Sequence, residues 1–242
     1  MSIYTLQRLF DDLASGELSQ INLNGEDSVE KTFNTIAKNS IVSHLNLGLT
    51  ELFSRFPLNQ KEVVIQLYPH ITQYFLDSKY AVSNTSSTES IKYIIDSPYY
   101  PFADDVLRIE SCYTELGEEL YINDVSREYS VFTSDYKSIQ VPFPELEIAL
   151  SFNYRAKHAL ISYSEGVDAN TVPINIPPYL YEALLYYIAY RVHKARHNQE
   201  ARADSLQYYQ LFNNRCNEME RRNMFNDSIA GSNQLLDTNG WM

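Results

Sequence analysis

Apolar positions along the first quarter of the chain recur at the spacing of a helix. Leu6, Leu9, Phe10 and Leu13 follow Thr5, which predicts a short helix capped by the threonine side chain and ended at Ser15-Gly16. Asn24-Gly25 then marks a turn. A second run starts near Ser28 and sets Val29, Phe33, Ile36 and Ala37 on one face. A third starts at Ser40, where Ile41, Leu45, Leu49 and Leu52 fall at i, i+4, i+8 and i+11 with Phe53 beside them. Pro57 stops it, because proline lacks the N–H and clashes with the turn before it.

The period changes in the middle of the chain. Glu62–Leu67 and Ile71–Leu76 are rich in β-formers, and residues 82–90 are polar enough to read as a loop. Asp105–Thr114 carries Val106, Leu107, Ile109 and Tyr113, Gly117 makes a turn, and Glu119–Asn123 follows as the partner of a hairpin. Val131–Thr133, Ser138–Val141 and Leu146–Ala156 read as further strands of a small antiparallel sheet, punctuated at its end by Pro142, Pro144, Pro173, Pro177 and Pro178.

Helical spacing returns after Pro177-Pro178. Leu180, Ala183, Leu184, Tyr187, Ile188, Val192 and Ala195 form one apolar stripe, and Ala201, Leu206, Tyr209, Phe212, Cys216 and Met219 a second. From Asn223 the periodicity fades into a polar tail with spaced apolar residues. Together the elements predict an α+β chain that is mainly α. It has an N-terminal helical bundle and a C-terminal helical hairpin (1–57 and 177–222), a small inserted antiparallel β region (58–176), and an extended C-terminal tail (223–242).

Charge narrows the function. The chain carries −12 at neutral pH, which lacks the basic footprint of a protein that grips phosphates. Residues 187–222 hold seven Lys/Arg against four Asp/Glu, a local +3 that leaves −15 elsewhere. Such asymmetry fits a complementary partner surface, and a solvated helix face equally. Aromatic residues make up 13%, with 20 Tyr, 11 Phe and 1 Trp. A tyrosine has a broad apolar face and a polar tip, so packing at a core rim accounts for most of them and contacts between subunits for the rest. Cys112 and Cys216 form no C-x-x-C and no disulfide framework, so a reducing compartment is expected. The first residues show no signal peptide, and no stretch is apolar enough to span a membrane.

Chemical signatures are sparse. The seven glycines lie at least nine residues apart, which excludes G-x-G-x-x-G, the Walker loop and G-x-S-x-G. His193 and His197 share a helix face at i, i+4, yet Lys194-Ala195-Arg196 between them supplies two cations and no glutamate base, so a polar face near a helix C-terminus is expected and no metal. Asp11-Asp12, Asp104-Asp105 and Glu118-Glu119 are doublets whose adjacent side chains point apart, unlike the carboxylates of a catalytic pair. Cys112 lies in a strand pattern and Cys216 on an apolar helix stripe, as core residues do. No cofactor and no catalytic residue is expected.

The order of parts, and the wording of four segments, resemble the head-to-tail adaptor (connector) proteins of tailed phages, above all short-tailed ones. The segments are Phe10-Asp-Asp-Leu-Ala-Ser-Gly-Glu-Leu, Leu49-Thr-Glu-Leu-Phe-Ser-Arg-Phe-Pro-Leu, Arg108-Ile-Glu-Ser-Cys-Tyr and Ile176-Pro-Pro-Tyr-Leu-Tyr-Glu-Ala-Leu-Leu-Tyr-Tyr-Ile-Ala-Tyr-Arg-Val, the last being the most specific. The resemblance implies a structural virion protein and not an enzyme: one subunit of a homo-oligomeric ring, commonly a dodecamer, at the head–tail junction, assembled in the host cytoplasm. It implies a portal protein above, a downstream tail protein below, and DNA passing through the channel without specific binding. The tail would dock on the portal through Phe225, Ile229, Leu235, Leu236 and Trp241. The β-rich middle is larger than a minimal adaptor requires, which leaves its partner open. Competing readings are a tail terminator or stopper, which is β-dominated and lacks long C-terminal helices; a hydrolase with dispersed carboxylates, which has a deep pocket of convergent groups; and a monomeric helical binding module.

Overall fold

The computed structural model describes residues 4–21, 33–144, 148–196, 199–222 and 224. In chain order the elements are β1 (Tyr4–Thr5), α1 (Leu6–Ser15), α2 (Thr35–Arg55), β2 (Gln60–Gln66), β3 (Gln73–Phe75), β4 (Ile94–Ile95), β5 (Val106–Thr114), β6 (Glu119–Leu120), β7 (Phe132–Asp135), β8 (Ser138–Gln140), β9 (Ala149–Ala156), β10 (Pro173–Ile174), α3 (Pro178–Lys194) and α4 (Gln199–Arg221).

This corrects the mainly-α expectation of a helical bundle with a hairpin and a small β insertion. The described residues hold four helices and ten strands in three antiparallel sheets, and are 38% helical and 23% strand. Four of the ten strands are two residues long, too short to show a period of two, so the sequence pattern under-weights them. The first helices differ as well. The Asn24-Gly25 turn and the start of the second run at Ser28 and Val29 lie outside the described residues. The break expected at Ser40 is absent: Ile36 and Ala37 belong to α2, which passes through Ser40 from Thr35 to Arg55.

The chain divides into two compact units, Met1–Leu52 with Ala159–Met242, and Phe53–His158. In the first unit, β1 pairs antiparallel with β10, which joins the start of the chain to the segment leading into α3. Thr5 caps α1 by accepting from the Arg8 N–H at 3.3 Å, and Leu6, Leu9, Phe10 and Leu13 are buried beneath it. Tyr4 stacks on Tyr181 with ring centroids 3.8 Å apart. Pro178 opens α3, where its missing N–H costs nothing.

α3 and α4 run antiparallel along each other, held by aromatic pairs: Tyr190 with Tyr209 at 5.0 Å, Tyr187 with Phe212 at 5.2 Å, and Tyr186 with Tyr208 at 6.3 Å. At the other side of α3, Gly48 of α2 meets Leu184 and Tyr187 so closely that a Cβ would lie 2.9 Å from both side chains. Asn46 copies a strand edge: its amide donates to the Ile161 carbonyl at 2.8 Å and accepts from the Ile161 N–H at 3.0 Å.

The second unit is built on a five-stranded sheet of order β4-β2-β9-β5-β6 and a three-stranded sheet of order β3-β8-β7. β9 is central; it pairs with β2 from Gln60↔Arg155 to Gln66↔Ala149 without a shift, and with β5 through two register shifts. Both sheets contribute to one core, including Val63, Ile65 and Phe152 from the larger and Tyr74 and Ile139 from the smaller. Gly117 makes the β5–β6 turn at φ +81°, a left-handed conformation that favours glycine. Arg155 closes the base of the sheet. It pairs with Glu110 and donates to the carbonyls of Ser54 and Arg55 at 3.0 and 2.9 Å, satisfying the last turn of α2.

Candidate functional site

The carboxylates singled out from the sequence serve as loop and helix clamps. On α1, Asp11 accepts from the Gln7 amide at 2.8 Å, and Asp12 from the Tyr181 hydroxyl at 2.8 Å with Arg8 at 3.7 Å. Burial and the Asp12 carboxylate hold the Tyr181 phenol far above its ordinary value. Asp104 sits at φ 55° and accepts from the Ser78 N–H and hydroxyl at 2.7 and 2.5 Å. Asp105 pairs with Lys61 at 2.6 Å and accepts from the Tyr154 hydroxyl at 3.0 Å. A further aspartate, Asp96, escapes the sequence pattern because it stands alone. It accepts from the Ser83 N–H and hydroxyl at 2.8 and 2.5 Å and from the Phe102 N–H at 2.9 Å. Desolvation raises its carboxyl, and these hydrogen bonds outweigh that, so it ionises below the usual carboxylate range. Glu118 and Glu119 are exposed at the β5–β6 turn.

His193 is buried between α3 and α4, its ring 5.2 Å from that of Tyr208. Its Nδ1 lies 3.4 Å from an Asp204 oxygen, but the alignment makes no hydrogen bond, and neither ring nitrogen has one. His197 falls outside the described residues. Among the described residues no group of three or more His, Cys, Asp or Glu side chains is placed to hold a metal ion. Cys112 and Cys216 are both buried, and burial pushes the Cys112 thiol up to about 12. The tail residues Phe225, Ile229, Leu235, Leu236 and Trp241 lie outside the described residues.

A feature the sequence did not expose is a groove on the second unit, of about 240 Å³. Its floor is apolar, with Leu67, Val131, Val141 and Leu150 buried there. Tyr129 and Phe143 flank it at 61% and 62% exposure, and Glu118 and Glu128 stand at its rim. These residues come from five separate segments, so only the surplus of aromatic residues hinted that such a surface exists.

A family model described as SU10 adaptor protein matches residues 6–233. The chain belongs to that family. The SU10 adaptors are phage head-to-tail adaptors, so this is a structural virion protein of a bacteriophage, and the likeness carried by Ile176–Val192 and its companion segments holds. The SU10 adaptor match spans both units and takes in Phe225 and Ile229 but not Leu235, Leu236 or Trp241. Adaptors of this family work between portal and tail proteins. No curated protein matches the chain. Among the described residues, no helix is long and apolar enough to cross a membrane.

Proposed function

We propose that this adaptor is non-enzymatic and acts as one subunit of a dodecameric ring beneath the portal, joining it to the tail around the DNA channel. The observation that carries the reading is the family match over residues 6–233. Two physical features support it. Rings of identical subunits use heterologous contacts that close on themselves, and the chain separates a +3 stretch at 187–222 from −15 elsewhere, a charge division suited to unlike surfaces meeting. A net charge of −12 also lets DNA slide past without adhering. In this reading Phe225, Ile229, Leu235, Leu236 and Trp241 anchor the tail on the portal, the segment folding as it binds. The ring is assembled in the host cytoplasm and ends at the head–tail junction.

The test is a pull-down of tagged protein from phage-infected cells, full length and lacking residues 223–242, read by mass spectrometry. The full chain is expected to recover portal and tail proteins, and the truncated chain to lose the portal. Recovery of neither from the full chain overturns the assembly reading; portal retained after truncation overturns the docking role of the tail.

A further inference from the structure

We infer that the groove on the second unit is a docking site for a protein segment that presents one aromatic or branched apolar side chain beside Lys or Arg. The inference deepens the adaptor reading, on which its place in a virion rests, by naming what the sheet-rich unit would hold.

Size comes first. At about 240 Å³ the groove is below the range of roughly 300–1,000 Å³ usual for small-molecule sites, and it suits one or two inserted side chains. Its floor of Leu67, Val131, Val141 and Leu150 favours an apolar anchor. Exposed Tyr129 and Phe143 extend the apolar surface to either side, where an occupant would exclude water from the centre.

The charge of the rim selects the occupant. Among the described residues, Glu118 and Glu128 are its charged lining residues, and no Lys or Arg lines the groove. The nearest basic neighbour in sequence, Arg127, is directed elsewhere: its guanidinium lies over the Tyr121 ring at 4.6 Å, with Asp124 at 4.0 Å. The acidic turn Glu115-Leu-Gly-Glu-Glu119 continues the negative rim. A phosphate, a nucleic acid or an acidic peptide would be repelled, whereas a basic segment is complementary.

The rim is also held in shape before anything binds. Ser130 is buried and bridges the loop, accepting from the Asp124 N–H at 3.0 Å and donating to the Tyr121 carbonyl at 3.0 Å. Asn123, at φ 58°, accepts from the Thr133 N–H and donates to the Thr133 hydroxyl. Asp124 accepts from the N–H and the hydroxyl of Ser126. An occupant therefore meets a preformed surface and loses little to ordering it.

The experiment uses the full chain and a fluorescein-labelled Gly-Lys-Phe-Lys-Gly peptide, read by fluorescence anisotropy, with Gly-Glu-Phe-Glu-Gly and Gly-Lys-Ser-Lys-Gly as controls. Saturable binding of the first is expected, with each control weaker by about tenfold or more. The E118K/E128K variant changes exposed residues only, and its thermal melt should match the wild type while its preference turns to the Glu-Phe-Glu peptide. No saturable binding, equal binding of both charge versions, or a variant that keeps the original preference overturns the inference. Self-association of the wild type that E118K/E128K abolishes would assign the groove to a second copy and overturns the inference. Recovery of portal and tail proteins by the tagged chain is a separate readout, so failure of the groove and failure of the adaptor reading are distinguishable.

Discussion

Replacing Gly48 by alanine sets two opposed effects against each other at one position of α2. In an exposed helix interior the change would stabilise by about 1 kcal/mol, since glycine forfeits backbone entropy. At Gly48 the new methyl would lie 2.9 Å from Leu184 Cδ1 and 2.9 Å from Tyr187 Cδ1. Carbon pairs prefer roughly 3.5–4.0 Å, so both side chains must retreat by more than half an ångström. Leu184 is fully buried and has nowhere to go. Tyr187 packs against Tyr190 at 5.7 Å and Phe212 at 5.2 Å, so its retreat is resisted from two directions, one of them across the contact with α4. Overpacking of this kind costs about 1–3 kcal/mol, and after subtraction of the helix-propensity gain a net loss of up to about 2 kcal/mol is expected. Because the chain has two compact units, the assay should localise the loss. Hydrogen exchange read by mass spectrometry should show faster opening in peptides from α2 and α3, and unchanged protection in β2 and β9. Trimming Leu184 to Val in the Gly48→Ala background should recover part of the loss, a coupling that independent sites would not show. Unchanged or slower exchange in α2 would refute the reasoning, because it would mean that propensity outweighs the steric overlap.

Arg155→Met should destabilise the second unit by about 2–4 kcal/mol, because it leaves Glu110 and two helix-end carbonyls with lost partners at a site where Arg155 is only 12% exposed. Urea unfolding checks this, and a loss under 1 kcal/mol would show that water replaces the guanidinium freely. Asp96 has a folded pKa held below its unfolded value of about 3.8, so its contribution is fully present above that pH and is lost as pH falls through the lower, folded value. Asp96→Asn should therefore be less stable than wild type at pH 7 and converge with it in strong acid. An unfolding midpoint gap that stays constant from pH 7 to pH 2 would sink this assignment.

Legibility in the sequence followed the length of each element. α1 was readable to its cap because Thr5 stands one turn before Arg8 and four apolar residues repeat behind it. β2 and β9 were readable because each runs for seven or eight residues. The face of α2 was misjudged for a geometric reason. The sequence sets Ile36 on one face with Phe33 in a run of its own, but in one continuous helix it lies five residues before Ile41, about 140° round the axis at 3.6 residues per turn. It is accordingly 81% exposed while Ile41 is buried. Two-residue strands such as β4 and β6 carry no period at all, and their existence depends on β2 and β5 lying beside them. The groove was out of reach for the same reason, since its floor joins Leu67 to Leu150 through strands distant in sequence.

The tyrosine surplus, ambiguous in the sequence, separates into two uses once the fold is known. On α3 and α4, Tyr186, Tyr187, Tyr190 and Tyr208 are partly covered and pair with one another and with Phe212, which is the packing role. Burial and the Glu182 carboxylate push the Tyr186 phenol up to about 12, and its hydroxyl donates to Glu182 at 2.8 Å. On the second unit Tyr74, Tyr93 and Tyr154 are buried in the core, but a further set of rings faces water. Of the eight large aromatic residues that are exposed among those described, seven belong to it, including Tyr99 and Tyr100 at 88% and 86%. Exposed rings held on loops this densely hydrogen-bonded lose little entropy on contact, while leaving them in water forgoes the burial that folding would otherwise use. A chain that keeps them there has a surface to cover. The second unit, and not the aromatic seam between α3 and α4, is therefore where a search for a partner of this adaptor should begin.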